Sequence, residues 1–317
     1  LKKEGREMGR HNLTAMQAVR ASLAQYVMAH GQLPGFAGNQ QRDVFIKQLI
    51  DSVRRVRFVS VVGARPIDPR RANPHHALFD PIKAAHFQKI TGHVDEACWL
   101  VFLLVHFGRH PTAGWRFTRE VYGKLGQSPY WTWHRVSGNP QLFRTWLDQQ
   151  QQQLLRTNEG RRGFGNHRKY ASMSANSATG TGAAIETYVS WVLNNGGHLQ
   201  LFQTALNQCQ NNPRSAFDCL YRSMNQVASF GRTAKFDYLT MLSKIGLAQI
   251  QPGLAYLAGS TGPRAGAVAM LGTGLSTAVM EAKLVGLANC LGVGMQEIED
   301  SLCNWQKSPS VYVYFSG

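Results

Sequence analysis

Two adjoining stretches near the C-terminus, LAYLAGSTGPRAGAVAMLG (254–272) and MEAKLVGLANCLGVGMQEIEDSLCNW (280–305), decide the reading of this chain. The first reads as a helix, a Gly-rich hairpin and a second helix that begins at Pro263 and Arg264. Glycines permit positive φ and close approach of a ligand to the backbone, and proline suits a first helical turn, where its missing N–H costs nothing. The N–H groups that remain at such a terminus favour an anion such as a phosphate. Gly259, Thr261, Gly262, Arg264 and Gly266 are the expected contacts, and Gly272 closes the helix. The competing reading is an ordinary helix–turn–helix corner that binds nothing. Glu281 follows Gly262 by nineteen residues, at the head of an apolar helix ending in Leu291-Gly292. It is either a catalytic carboxylate or a solvated acid favoured by the helix macrodipole.

Charge narrows the partner. The 317 residues carry 34 Lys+Arg against 18 Asp+Glu, a formal +16, and such a field attracts polyanions, nucleic acid first. A hydrophobic share of 44% is that of a folded protein and argues against wholesale disorder. Cys98, Cys209, Cys219, Cys290 and Cys303 form no CxxC pair and sit in apolar helical patterns. They are expected to be buried thiols of a reducing compartment, neither a disulfide frame nor iron–sulfur ligands. The longest apolar run, Trp99 to Phe107, is too short to span a membrane. With no secretory signal visible, a cytoplasmic location is expected, without a membrane or an obligate protein partner.

Helical spacing recurs along the chain, at Leu13–Ala29, Val44–Val56, Ile82–Ile90, Val94–Phe107, Trp115–Leu125 and from Ala183 to Asn304. Val56–Val62 is β-branched enough for one short strand, which does not make a sheet. Residues 159–182 are Gly/Ser/Asn-rich with a basic front and can build no core. The expected architecture is all-α and two-lobed. It comprises an N-terminal arm and helix (1–35), a helical lobe (36–158), a basic loop (159–182) and a second helical lobe (183–317) containing the hairpin at 254–271.

Residues 254–304 resemble the helix-hairpin-helix DNA glycosylase superfamily, whose active-site acid is usually an Asp in a VDTHV-like segment. The matching segment here is Met280-Glu281-Ala282-Lys283-Leu284, with an acid one methylene longer and Lys283 in place of the neighbouring His. Bifunctional members place a nucleophilic Lys two residues after the hairpin's second glycine. Arg264 stands there, and its guanidinium stays protonated, so the resemblance implies a monofunctional enzyme.

Longer strings are similar to a narrower group: ALFDPIKAAHFQKITGHVDEACWLVFLLVHFG (77–108), GWRFTREVYGKLG (114–126), GNHRKY (165–170), YVSWVLNNGGH (188–198), FGRTAKFDYLTML (230–242) and GVGMQEIEDSLCNWQKSP (292–309). They resemble the α-glutamyl/putrescinyl-thymine pyrophosphorylase family, relatives of helix-hairpin-helix glycosylases associated with phages that carry hypermodified pyrimidines. The group is similar to bacterial anti-phage glycosylases that remove glucosylated 5-hydroxymethylcytosine.

The same strings supply candidate parts. Arg162, His167, Arg168 and Lys169 beside Tyr170 suit a phosphate-and-base contact, or form a solvated basic loop. Arg232 and Lys235 add cations, while Asp237 is either a second catalytic carboxylate or the N-cap of a helix Tyr238–Ile245. Asp95 and Glu96 lie on a core-like helix, with at least one exposed or paired with a basic group. Trp115, Arg116, Trp131 and Trp133 either wall a pocket for a flipped base or are plain core. His106 and His110 share an i, i+4 helical face that suits zinc, but no third ligand is near, and neither metal nor cofactor is expected.

Base excision breaks an N-glycosidic bond through an oxocarbenium-like state, which a carboxylate beside the sugar stabilises once the base has flipped out of the duplex. The expected activity is monofunctional excision of a modified pyrimidine from double-stranded DNA, with Glu281 or Asp237 as the acid and the base held in a cleft between lobes. Two alternatives stay open. One is a transferase in which an amine replaces pyrophosphate on a 5-hydroxymethyl pyrimidine; the other is a non-catalytic DNA-binding module.

Overall fold

The structure is a computed structural model that describes residues 11–36, 38–156 and 163–315. Fourteen α-helices and no β-strand occur among the described residues, so the chain is all-α. In order they are α1 (Leu13–His30), α2 (Asn39–Gly63), α3 (Pro81–Ile90), α4 (Val94–Phe107), α5 (Arg116–Tyr122), α6 (Trp133–Gly138) and α7 (Pro140–Leu155). Then come α8 (Thr181–Leu193), α9 (His198–Gln208), α10 (Pro213–Ser223), α11 (Arg232–Ile245), α12 (Gly262–Leu271), α13 (Thr277–Leu291) and α14 (Met295–Trp305). Asp80-Pro81, Asn139-Pro140 and Asn212-Pro213 open three of them; in each the side-chain oxygen accepts first-turn N–H groups while proline takes the first helical position. No single helix among the described residues is long and apolar enough to cross a membrane.

By its contacts the chain divides into one unit of Leu1–Phe58 with Pro252–Gly317 and another of Val59–Gln251. These boundaries lie at 58/59 and 251/252, whereas the sequence places them at 35/36, 158/159 and 182/183. Contiguity guided the expectation, but here the two chain ends share one core.

In the first unit, Phe45, Leu49, Met270, Leu284, Ile298 and Trp305 belong to one buried cluster. Burial of each such side chain contributes roughly 1.5–3 kcal/mol. Tyr26 Oη donates to Lys283 O at 3.0 Å, tying α1 to α13. The α12–α14 contact is close because it is built on glycines. A Cβ at Gly266 would collide with Leu302 O, and one at Gly262 would lie 2.7 Å from Cys303 Sγ.

In the second unit α4 is the central helix: every residue from Ala97 to Phe107 is buried, including His106. Its apolar surface is covered on all sides, which explains why the sequence there shows no polar face.

Several expectations are corrected. Val56–Val62 is not a strand; α2 runs through it to Gly63. The helical penalty of a β-branched residue is under about 1 kcal/mol, which burial of Val59 readily offsets. Leu254–Ala258 is not helical, so the first helix of the expected hairpin is absent; an irregular segment joins α11 to α12. Tyr256 there has φ 52°, outside the helical region. Nor are all cysteines buried, since Cys98 is enclosed but Cys219 is exposed.

Candidate active site

Helix α11 begins at Arg232, a turn and a half before Asp237, with extended Gly231 as its N-cap. Asp237 is therefore inside the helix, not the N-cap of one starting at Tyr238. Ala234, Tyr238, Leu239 and Leu242 face the core, which leaves Asp237 half-buried at the rim. His167 Nδ1 lies 3.6 Å from its Oδ2. Burial pushes the Asp237 carboxyl up, but the hydrogen bond and charge of His167 and the charges of Arg168 and Lys244 outweigh burial and hold it below the ordinary carboxylate value. The carboxylate is thus ionised at neutral pH.

The partner segment is pinned from beneath. Gly165 N–H donates to Phe107 O at 2.8 Å, and Arg168 Nε donates to Val105 O at 2.9 Å. Gly165 must be a glycine, because a Cβ would lie 2.8 Å from Arg109 N. The Arg168 guanidinium sits 5.7 Å from the Phe230 ring centroid, and Phe230 stacks on Phe102 at 4.8 Å. Burial lowers the Arg168 pKa while Asp237 raises it. Its Nη2 is buried without a hydrogen-bond partner. Three of the quoted strings, at 77–108, 165–170 and 230–242, therefore meet at Asp237, His167 and Arg168.

The other expected site residues are distributed as follows. Lys169 and Tyr170 are exposed next to Asp237's partner His167, with Lys169 Nζ 4.8 Å from the Tyr170 ring and Tyr170 itself 89% exposed. Arg232 lies over the Phe236 ring at 4.7 Å. Lys235 is buried, with Nζ 2.5 Å from Asn225 Oδ1 and 4.2 Å from the Tyr221 ring. Arg162 lies outside the described residues. Trp133 is in the aromatic core beside Trp99 and His198, Trp131 is buried against Phe143, and half-buried Trp115 precedes α5.

Glu281 belongs to the first unit, Asp237 to the second. Glu281 is buried, and its two oxygens accept the N–H groups of Ala255 at 2.8 Å and Leu257 at 2.6 Å. This irregular segment has no helical ladder to take those buried donors, and the carboxylate accepts them instead. In the same unit Gly259 has φ 73°, Thr261 makes no side-chain cap for α12, and Arg264 is exposed. Gly266 faces α14.

The expected pair His106 and His110 does not share a helical face, because α4 ends at Phe107. His106 Nε2 lies 2.9 Å from Thr181 Oγ1, and burial, then the charge of Arg168, pushes its pKa down to about 3. No group of three metal-ligating side chains occurs among the described residues.

Sequence reasoning missed a chain of hydrogen bonds that runs from exposed Asp95 into the core at His198, Tyr188 and Tyr238. Asp95 Oδ1 meets His198 Nδ1 at 2.6 Å, His198 Nε2 meets Tyr188 Oη at 2.7 Å, and Tyr188 Oη meets Tyr238 Oη at 2.9 Å. The hydrogen bond from His198 keeps Asp95 below its usual value, whereas burial keeps His198 low and hence neutral. At least one of Asp95 and Glu96 was expected to be exposed or paired with a basic group, and Asp95 is both exposed and paired with His198. Glu96 instead accepts from Tyr122 Oη at 2.6 Å and Trp133 N–H at 2.7 Å.

No curated protein matches this chain, and no solved structure does. The family model described as alpha-glutamyl/putrescinyl thymine pyrophosphorylase clade 3 matches residues 40–317, well over half of the chain. The chain belongs to the alpha-glutamyl/putrescinyl thymine pyrophosphorylase clade 3 family.

Proposed function

We propose that this protein is an enzyme of modified-base metabolism that excises a modified pyrimidine, such as glucosylated 5-hydroxymethylcytosine of phage DNA, as a monofunctional glycosylase in anti-phage defence. The observation that carries the reading is the half-buried Asp237 carboxylate, held ionised by His167, Arg168 and Lys244. An ionised carboxylate in partial shelter from water is what an oxocarbenium-like state needs beside it. The base flips out of the duplex, the C1′–N bond breaks with its electron pair leaving on the base, and water adds at C1′. Asp237 stabilises the sugar cation and accepts a proton from that water. The product is an abasic site. Arg168 and Lys169 contact the backbone, and Tyr170 offers an aromatic face to a base. Both oxygens of Glu281 are already engaged by backbone donors, so its role in this reading is structural.

A second reading rests on the family description and on Arg168, whose buried Nη2 has no acceptor. In it an amine displaces pyrophosphate from the 5-methylene of a pyrimidine, the guanidinium holds the departing anion, and the glycosidic bond stays whole. Alkali treatment of DNA after incubation separates the two. Excision leaves alkali-labile sites in modified DNA, whereas transfer leaves the strand intact and, on mass analysis, a nucleoside that carries the amine in place of pyrophosphate.

A further inference from the structure

Helices α9 and α10 form a hairpin closed by Gln210 and Asn211, both at positive φ (54° and 58°), with Pro213 starting the return helix. This turn brings Cys209, just after α9, against Cys219 in α10, with the two sulfurs 3.0 Å apart. A disulfide bond is only about 1 Å shorter. Cys219 is exposed and Cys209 partly so, which opens the pair to small thiol reagents. The other cysteines are placed differently: Cys98 is fully buried, and Cys290 Sγ donates to Ser22 O at 3.2 Å. Among the described residues no third ligand accompanies the pair, so it is a dithiol and not the start of a metal site.

We propose that Cys209 and Cys219 are a modification site that a low-molecular-weight disulfide oxidises to an intramolecular disulfide. The Cys219 thiolate attacks one sulfur of the reagent, whose S–S bond breaks to release a thiolate. Cys209 passes its proton to that thiolate and attacks Cys219 in the mixed disulfide, expelling the second half of the reagent as thiolate. Two protein thiols are oxidised, and one reagent disulfide is reduced to two thiols. Cys219 makes the first attack because it is exposed; the hydrogen bond to Cys219 and burial push the Cys209 thiol up to about 11. Closure staples α9 to α10 in the unit that carries Asp237.

The test is oxidised glutathione added to the full chain, followed by alkylation in denaturant and peptide mass mapping. The alkylated cysteines are expected to fall from five to three, with the new cross-link joining Cys209 to Cys219 in a monomer. Cys209→Ser is expected to stop at the first step, with a single glutathione adduct on Cys219. Five alkylated cysteines under conditions that oxidise a model dithiol peptide would overturn the proposal. A cross-link through any other cysteine, or one between two chains, would do the same.

Discussion

His167 Nδ1 stands 3.6 Å from Asp237 Oδ2, which joins the basic segment 163–170 to the second turn of α11. A residue from a Gly-rich loop and one from a buried helix thus share a half-buried site. The loop can hold that position because Gly165 and Arg168 anchor it to the end of α4. The proposed base excision rests on this pair.

Asp237→Asn keeps the shape of the side chain and removes its charge. Excision is expected to fall at least about a hundredfold, the scale on which lost electrostatic stabilisation acts, with the circular dichroism spectrum unchanged. Single-turnover kinetics on modified duplex measures it.

The pH dependence follows from the same carboxyl. Its folded value lies below the usual 3.8, so the stability it contributes is complete above the unfolded value and disappears only as pH falls through the lower folded value. Deprotonation of Asp237 should therefore set no acid limb on activity above the ordinary carboxylate range. A limb that moves in Asp237→Glu would identify the group.

Glu281→Gln should cost stability. One of the N–H groups of Ala255 and Leu257 then faces an amide NH2, and roughly 2 kcal/mol is lost. Urea unfolding checks the cost, and the folded fraction should retain excision.

His106 gives the acid side of the stability curve. Its folded value is about 3 against an ordinary 6.5, so the unfolded chain binds the extra proton between those limits. Stability is then full above pH 6.5 and falls by about 1.4 kcal/mol per unit toward pH 3. Denaturant titrations across that window should show the fall, and His106→Gln should flatten it.

Gly266→Val probes the α12–α14 contact. The new side chain meets Leu302 O, and overpacking of that kind costs about 1–3 kcal/mol. A lower melting temperature is the expected result.

Much of the helical fold was legible because its signals are local. The range Val94–Phe107 is read correctly from periodicity, and Asn139-Pro140 marks the start of α7. The failures lie where distant groups decide. Residues 254–258 have helical composition, yet the Glu281 carboxylate, more than twenty positions away, takes the N–H groups of Ala255 and Leu257. The β-branched run in α2 follows its helix, not its propensity. The candidate site was half legible: His167, Arg168 and Asp237 were each singled out, but their meeting joins positions seventy apart. Nothing local to Asp95 or His198 announces their bond, which spans 103 residues.

The most direct measurement compares wild type, Asp237→Asn and Glu281→Gln on matched duplexes carrying cytosine, 5-hydroxymethylcytosine or its glucosylated form, sized after alkali. Cleavage of a modified duplex alone, lost with Asp237→Asn and retained with Glu281→Gln, is the predicted result. Strands that stay whole in every lane, or cleavage that survives Asp237→Asn and disappears with a folded Glu281→Gln, would contradict the account.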